Sequence, residues 1–198
     1  MDTSLILSTL LSASSIKGIS KTTGTDTDTV TTILSQAVPA LLTGANKQAT
    51  NSKTAKSFAQ ALTEHAQENT SNVGTFFKNV DLNDGAKIIQ HLLGSSTAST
   101  TKSISKAADT DTETTASVLS ATAPLLMSLL GKSAGSNTSS DALGSLIGSL
   151  TKNINVTDLL GGLLGSGLAS TKKKTTTKKA TNSATSALAG AVIKKLLK

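Results

Sequence analysis

A repeated segment limits the possible folds of this chain more than any other feature of its sequence. The stretch SIKGISKTTGTDTDTVTTILSQAVPALL at residues 15–42 recurs as TTKSISKAADTDTETTASVLSATAPLLM at residues 100–127, at a constant offset of 85 residues. Three matching motifs keep this register: Ser-Lys, Thr-Asp-Thr, and a proline followed by apolar residues. The repeat indicates an internal duplication, so we expect two related units in equivalent positions of the fold.

Each copy is predicted to contain a short helix, a turn and a longer helix. The turn falls at Gly24 in the first copy and at Asp109 in the second, both residue types that tolerate unusual backbone angles. A threonine and an acid with capping-box spacing follow each turn, namely Thr25 with Asp28 and Thr110 with Glu113. This pattern predicts the start of the longer helix, and a metal site in the same Thr-Asp segment is the less common alternative.

Apolar residues follow each cap at helical spacing. They are Val30, Ile33, Leu34, Ala37, Val38, Leu41 and Leu42 in the first copy, and Val118, Leu119, Ala123, Leu126 and Met127 in the second. Such positions share one face of a helix, and this face should form the core. Pro39 and Pro124 lie within the two stripes, and proline lacks the N–H of a helical hydrogen bond. We expect each proline to kink its helix or divide it in two.

The remaining segments also favour helices. A first helix within 1–14 should pack Leu5, Ile6, Leu10 and Leu11, and further helices are expected within 53–67, 72–80, 81–94, 140–150 and 156–168. The last two contain glycines at Gly144, Gly148, Gly161 and Gly165, and each costs a helix about 1 kcal/mol relative to alanine. Close approach of a neighbouring helix would offset that cost, and a flexible hinge is the alternative. Residues 1–168 are therefore predicted to form an all-α, internally duplicated helical bundle.

Four motifs in sequence order resemble a known family. They are the repeated ISK…PALL unit, DGAKIIQHLLG at 84–94, APLLMSLLGK at 123–132 and LLGGLLG at 159–165. As an ordered set they resemble the YidB-like bacterial proteins, a family of unknown function numbered 937. The resemblance covers most of 15–167 and implies a helical bundle with helix-turn-helix or homeodomain-like units. It implies no activity and no site residues, and the lysine-rich tail is not part of it.

The residues suited to chemistry argue against an enzyme. The chain contains no cysteine, and its two imidazoles belong to His65 and His91. In the segment from Glu64 to Glu68, histidine precedes the second acid, the reverse of the order used in di-metal bundles. DLNDG at 81–85 starts like a calcium loop, but its glycine is one position early and no glutamate closes the loop. We therefore predict no catalytic residues, no metal site and no cofactor.

Positive charge is concentrated near the C-terminal end. All 12 acids precede residue 171, together with 11 lysines, whereas 171–198 adds eight lysines and no acid. Residues 169–183 lack apolar periodicity and are predicted to be a disordered Lys/Thr-rich linker, followed by a basic amphipathic helix at 184–198. The candidate residues for binding an anionic partner are Lys172, Lys173, Lys174, Lys178, Lys179, Lys194, Lys195 and Lys198.

Three kinds of partner fit such a tail. The last helix can dock on protein, either the body of the chain or another subunit; it can also adsorb to an anionic membrane surface or carry its lysines to nucleic acid. The chain contains no arginine, which argues against sequence-specific readout of bases. We favour a non-enzymatic interaction or scaffold protein that works by protein–protein association. A nonspecific, nucleoid-type nucleic-acid binder and a peripheral binder of anionic membranes are the alternatives.

Two features bear on the cellular location. Asp2 occupies a position where a signal peptide would carry positive charge, and no stretch approaches the roughly 20 apolar residues of a transmembrane helix. We therefore expect a cytoplasmic protein, with association at a membrane surface as the alternative.

Overall fold

The computed structural model describes residues 3–153 of the 198-residue chain, and this part folds entirely into helices and connecting turns. Its helices are α1 (Thr3–Leu10), α2 (Ala13–Thr23), α3 (Thr27–Thr50), α4 (Ala55–His65), α5 (Val73–Lys78), α6 (Leu82–Leu93), α7 (Thr97–Ala107), α8 (Thr112–Ala134) and α9 (Ser140–Asn153), with a 3-10 turn at Gly94–Ser96. The all-α prediction is confirmed. The predicted helix at 156–168, the linker at 169–183 and the helix at 184–198 lie outside the described residues.

Both copies of the repeat form the expected short helix, turn and longer helix. α2 leads into α3, which begins at Thr27, and α7 leads into α8, which begins 85 residues later at Thr112. The backbone φ angle is 71° at Gly24 and 49° at Asp109, so the turn residue is left-handed in both copies. Glycine adopts this conformation without steric cost, and aspartate is among the residues that tolerate it. The predicted turn positions are confirmed.

The first long helix is capped one residue later than predicted. Asp26 Oδ1 accepts hydrogen bonds from the backbone N–H of Asp28 at 3.1 Å and of Thr29 at 2.8 Å. Thr25, the predicted cap, is buried, and its hydroxyl accepts a hydrogen bond from the Thr23 hydroxyl at 3.0 Å. The threonine side chain therefore closes the turn, and the carboxylate satisfies the unpaired N–H groups of the helix.

The second long helix shows the same correction. Asp111 accepts hydrogen bonds from the backbone N–H and the hydroxyl of Thr114, both at 2.7 Å, so Thr110 is not the cap. These bonds favour the ionised carboxylate and lower the pKa of Asp111, with the Thr114 backbone N–H as the largest cause. The pKa of Asp26 is lowered too, chiefly by the side chain of Thr29. Both caps are therefore strongest when their carboxylates are charged.

Neither proline divides its helix. α3 runs without interruption through Pro39 and α8 through Pro124, so the alternative of two shorter helices is wrong, and a kink at each proline stays a prediction. In α8 the proline leaves the carbonyl of Ser120 without its helical N–H donor. Gly85 of α6 packs directly onto this carbonyl, because a Cβ built on Gly85 would lie 1.8 Å from the Ser120 oxygen. A residue without a side chain thus brings α6 against the part of α8 where the proline frees a carbonyl.

The two predicted apolar stripes form the core. Every residue of the first stripe is fully buried, and those of the second are at most 2% exposed. An amphipathic helix is buried on one face, whereas all residues of α8 from Val118 to Gly131 are buried. A helix buried on all sides is the central helix of its fold, and the other helices pack around it.

α8 is also long and apolar enough to cross a membrane, by length and composition alone. Within residues 3–153 it is the one helix that meets this criterion, and 83% of the segment concerned is buried inside the body. The central helix of a globular fold meets the same criterion, so core packing accounts for the apolar character of α8.

The first helix and the glycines of the last one differ in part from expectation. Ile6, Leu10 and Leu11 are buried as predicted, but Leu5 is 49% exposed and Leu7 is buried instead. In α9, a Cβ on Gly144 would lie 3.0 Å from the side chain of Thr50, whereas no such neighbour lies within 4 Å at Gly148. Close packing therefore explains one of these two glycines and not the other.

Each of the two long helices, α3 and α8, packs more extensively against the last helix of the other half of the fold than against the last helix of its own half. The first half, α1 to α4, precedes α5, and the second half, α6 to α9, follows it. α4 packs more extensively on α8 than on α3, and α9 packs more extensively on α3 than on α8. Each half thus supplies its last helix to the long helix of the other half, which leaves α5 as the connecting element between them.

Candidate binding grooves beside helix α5

α5 is the element around which the candidate sites are built. It begins after Asn72, whose side-chain oxygen accepts a hydrogen bond from Thr75 N at 3.0 Å. The rings of Phe76 and Phe77 make a T-shaped contact with 5.4 Å between their centroids. Phe77 is buried against Gly18 of α2, whereas Phe76 is half-buried. Two grooves border this helix, and their walls carry opposite charges.

The first of them, the acidic groove, has a volume of about 500 Å³, within the range of pockets that hold small ligands or peptide side chains. Three carboxylates and three asparagine amides line it, together with a threonine and three apolar side chains. These residues are Glu68, Asp81, Asp84, Asn69, Asn72, Asn79, Thr75, Phe76, Val80 and Pro124. Because these residues include three carboxylates and no lysine, the groove is suited to a cationic partner.

A polar network supports one wall of the acidic groove. Glu68 Oε1 lies 2.7 Å from His65 Nδ1, and its other oxygen accepts a hydrogen bond from the buried hydroxyl of Ser128. On the far side of the imidazole, Nε2 lies 3.9 Å from Asp84 Oδ2. The histidine is therefore held between two carboxylates from different segments, and the network ties the end of α4 to α6 and α8.

A lysine from α8 fixes the loop that follows α4. Lys132 Nζ donates hydrogen bonds to the backbone carbonyl of Glu68 and to the hydroxyl of Thr70, the latter at 2.6 Å. The same helix thus holds both the side chain and the backbone of Glu68. This loop forms part of the rim of the acidic groove, so the position of the Glu68 carboxylate is set by the central helix.

The network lacks the order of groups that nucleophilic catalysis needs. In a serine triad the hydroxyl is bonded to the histidine and the carboxylate orients that histidine from its other nitrogen. Here Ser128 is bonded to Glu68 instead, and its side chain is fully buried. His91, the other imidazole, is exposed on α6. Within residues 3–153, no group of three or more His, Asp or Glu side chains is placed to hold a metal ion.

The second groove, the basic groove, lies between α2 and α5 and has a volume of about 390 Å³. Its charged residues are Lys17 and Lys21 of α2 and Lys78 of α5, and no acid lines it. In the part of the chain that the structure describes, none of these lysines has its ammonium group within 4.0 Å of a carboxylate oxygen. The groove is therefore suited to an anion.

The predicted binding lysines at 172–198 all lie outside the described residues, so the structure places none of them. Sequence reasoning did not identify Lys17, Lys21 or Lys78 as a site. The four-residue spacing of the first two was a signal that they share one face of a helix. The third comes from a helix far along the chain, and the packing of Phe77 on Gly18 and its hydrogen bond with Thr22 bring it close.

Comparison with known proteins gives one match. A family model described as "Bacterial protein of unknown function (DUF937)" matches residues 6–133, which is more than half of the chain. The matched region contains both grooves and both copies of the repeat, but it excludes the LLGGLLG motif at 159–165. No curated protein and no solved structure matches the chain significantly.

Proposed function

The chain belongs to the DUF937 family of bacterial proteins, whose function is unknown, and we propose that it is a non-enzymatic protein that works by self-association. In this proposal, the acidic groove of one molecule receives the lysine-rich segment 172–179 of a second copy. The observation that carries the proposal is charge complementarity. Three carboxylates and no lysine line the groove, while residues 171–198 contain eight lysines and no acid.

Internal duplication is the architectural part of the proposal. The last helix of each half supports it, because Phe58 and Leu62 of α4 correspond at the same offset of 85 to Leu143 and Ile147 of α9, and all four are at most 1% exposed. Each half would then contain a helix-turn-helix-like unit, α2–α3 or α7–α8. At the offset of 85, the positions that correspond to α5 are residues 158–163, which lie outside the described residues.

A contact between the acidic groove of residues 3–153 and the lysine-rich segment of a second copy leads to a particular kind of assembly. A contact between two different surfaces of the same protein is heterologous, and it produces rings when the rotation closes and open chains when it does not. Self-association of this kind is driven by exposed charges, so it weakens as salt screens them over a distance of about 10 Å at 0.1 M. Salt sensitivity thus separates this mode from docking of the apolar face of the predicted last helix.

The surroundings of the grooves favour binding over catalysis. The single polar network that contains a histidine within 3–153 serves to hold the groove wall, with its serine hydroxyl buried and bonded to a carboxylate. Leu5 is the one large apolar side chain exposed in the same region, which provides no apolar patch for inserting into a membrane. We accordingly propose a cytoplasmic location.

Nucleic-acid reading by the long helices is disfavoured on two grounds. A recognition helix must present a free face to the major groove, but α8 is buried all round from Val118 to Gly131. The exposed acids Asp26, Asp28, Asp111 and Glu113 stand at the beginnings of the long helices, where they would repel phosphates. Nonspecific binding through the tail remains an outcome that the following test distinguishes.

A mixing experiment with two complementary variants tests the proposal. The groove variant carries Asp81→Asn and Asp84→Asn, which remove charge and keep the size of each side chain. The tail variant carries glutamine at Lys172, Lys173, Lys174, Lys178 and Lys179. We expect the wild type to associate with increasing concentration in sedimentation velocity, and each variant alone to be monomeric. Mixed together, they should form a one-to-one dimer, because the tail variant offers an intact groove and the groove variant an intact tail.

A matched control changes the same charge elsewhere on the surface. Asp28→Asn with Glu113→Gln removes two exposed acids that do not line the groove, and this variant should associate like the wild type. A wild type that stays monomeric, or a mixture that does not form the dimer, contradicts the proposal. Association that survives about 0.5 M salt would instead indicate apolar docking, and DNA binding lost in the tail variant without any self-association would indicate the nucleic-acid alternative.

A further inference from the structure

We propose that the basic groove binds a small phosphate-bearing ligand. This inference does not depend on self-association through the acidic groove. Three lysine side chains from two helices surround the groove, and none has its ammonium group within 4.0 Å of a carboxylate oxygen among residues 3–153. Like charges that converge without counter-charges repel one another, and a bound anion would relieve that repulsion.

The remaining lining groups are also suited to phosphate oxygens. Ser14 and Thr75 contribute hydroxyl groups at the edge of the groove, and the Asn72 side chain uses its oxygen to cap α5, which leaves its NH₂ group as a donor. Lysine binds phosphate as a point charge with rotatable donors, without requiring the planar geometry of arginine. Cationic groups and neutral donors together provide contacts for several oxygens.

The floor of the groove is formed by direct packing of α5 on α2. A Cβ on Gly18 would lie 2.3 Å from the ring of Phe77, so α2 and α5 are in direct contact at this point. The hydroxyl of Thr22 donates a hydrogen bond to the backbone carbonyl of Phe77 at 2.8 Å. These contacts hold the backbone next to Lys78 beside the helix that carries Lys17 and Lys21, so that the three side chains line the same groove.

The lining also restricts the class of ligand. Phe77 is 1% exposed and so offers no free ring face on which a base could stack. No aspartate or glutamate lines the groove to accept hydrogen bonds from the donor groups of a base. A volume of about 390 Å³ accommodates a phosphorylated metabolite or a lipid headgroup. Charge on the phosphate, preferably a diphosphate or a monoester dianion, is therefore the property that is recognised.

The second copy of the repeat provides a matched control within the same molecule. Lys102 and Lys106 of α7 correspond to Lys17 and Lys21 of α2 at the offset of 85, and all four are exposed. At the same offset Lys78 of α5 corresponds to Leu163, so the second copy lacks the third lysine. Two double variants, Lys17→Ala with Lys21→Ala and Lys102→Ala with Lys106→Ala, thus remove the same charge from equivalent helices.

Titration of the full-length protein with inorganic pyrophosphate tests the inference. Binding is measured by calorimetry and by backbone amide chemical shifts, and the amides of Gly18 and Gly74 report on the groove itself. We expect saturable shifts at both glycines and a Kd raised about tenfold or more by the Lys17/Lys21 double variant and by Lys78→Ala. The Lys102/Lys106 variant should change the Kd by less than about twofold. All three variants alter exposed side chains, and an unchanged thermal midpoint verifies their fold.

Two results would overturn the inference. One is an equal loss of affinity in the two double variants, which would mean that net charge alone attracts the anion. The other is the absence of shifts at Gly18 and Gly74 at saturating pyrophosphate, which would place binding elsewhere. Vesicles containing phosphatidic acid then separate the two sources of the phosphate. If they displace pyrophosphate from the glycine-reported site, the natural ligand is a lipid headgroup; if they do not, it is a soluble phosphate ester.

Discussion

Substitution of Gly85 by alanine is the sharpest test of how the central helix is packed. The added Cβ would lie 1.8 Å from the carbonyl oxygen of Ser120, 2.6 Å from its carbonyl carbon and 3.0 Å from its Cα. These are backbone atoms of the buried helix α8, so no side-chain rotation can relieve the overlap. A carbon–oxygen contact needs about 3.3 Å, and α6 would therefore have to move away by roughly 1.5 Å.

The expected magnitude follows from two opposing effects. Alanine is favoured over glycine inside a helix by about 1 kcal/mol. Overpacking in a well-filled core typically costs about 1–3 kcal/mol. A clash with backbone atoms that no side-chain rotation can relieve should cost at least the upper value of this range. We expect a net loss of about 2 kcal/mol or more, which for a protein of this size lowers the thermal midpoint by roughly 4–8 °C.

Gly148→Ala is the matched control, because the same substitution is made inside α9 where no heavy atom of another described segment lies within 4 Å of the added Cβ. It should gain up to about 1 kcal/mol from helix propensity and raise the midpoint by about 2–4 °C. Thermal unfolding followed by far-UV circular dichroism measures both variants. If Gly85→Ala is as stable as the wild type, α6 does not lie against the Ser120 carbonyl and the packing described above is wrong.

Two further predictions concern single side chains. Asp111→Asn should lower the thermal midpoint at neutral pH, because the charged cap is lost. The folded-state pKa of Asp111 lies below its ordinary 3.8, so the greater stability of the wild type exists above that value and should disappear as the pH falls from about 5 to 2. A stability difference that grows in acid would refute this pH dependence. Ser128→Ala should cost about 1 kcal/mol in urea denaturation by removing the hydrogen bond to Glu68, and an unchanged midpoint would show that the bond contributes nothing to stability.

Local sequence patterns predicted the parts of the fold that depend on local physics. The apolar stripe from Val30 to Leu42 is fully buried, and the turn residues Gly24 and Asp109 adopt the expected left-handed conformation. The capping residue was misplaced by one position because threonine and aspartate are adjacent at both helix starts and each can act as a cap. Which of the two residues caps the helix depends on which side chain is already hydrogen-bonded within the turn, and the spacing of the residues does not reveal this.

The grooves beside α5 depend on contacts between distant segments, and for that reason no local pattern predicted them. Phe77 looks like an ordinary apolar residue of a short helix in the sequence, yet its contact with Gly18 creates the basic groove. Gly85 likewise looks like a weak point in an amphipathic helix, whereas its missing side chain is what lets α6 reach α8. In both cases the informative glycine is one whose neighbour comes from another helix.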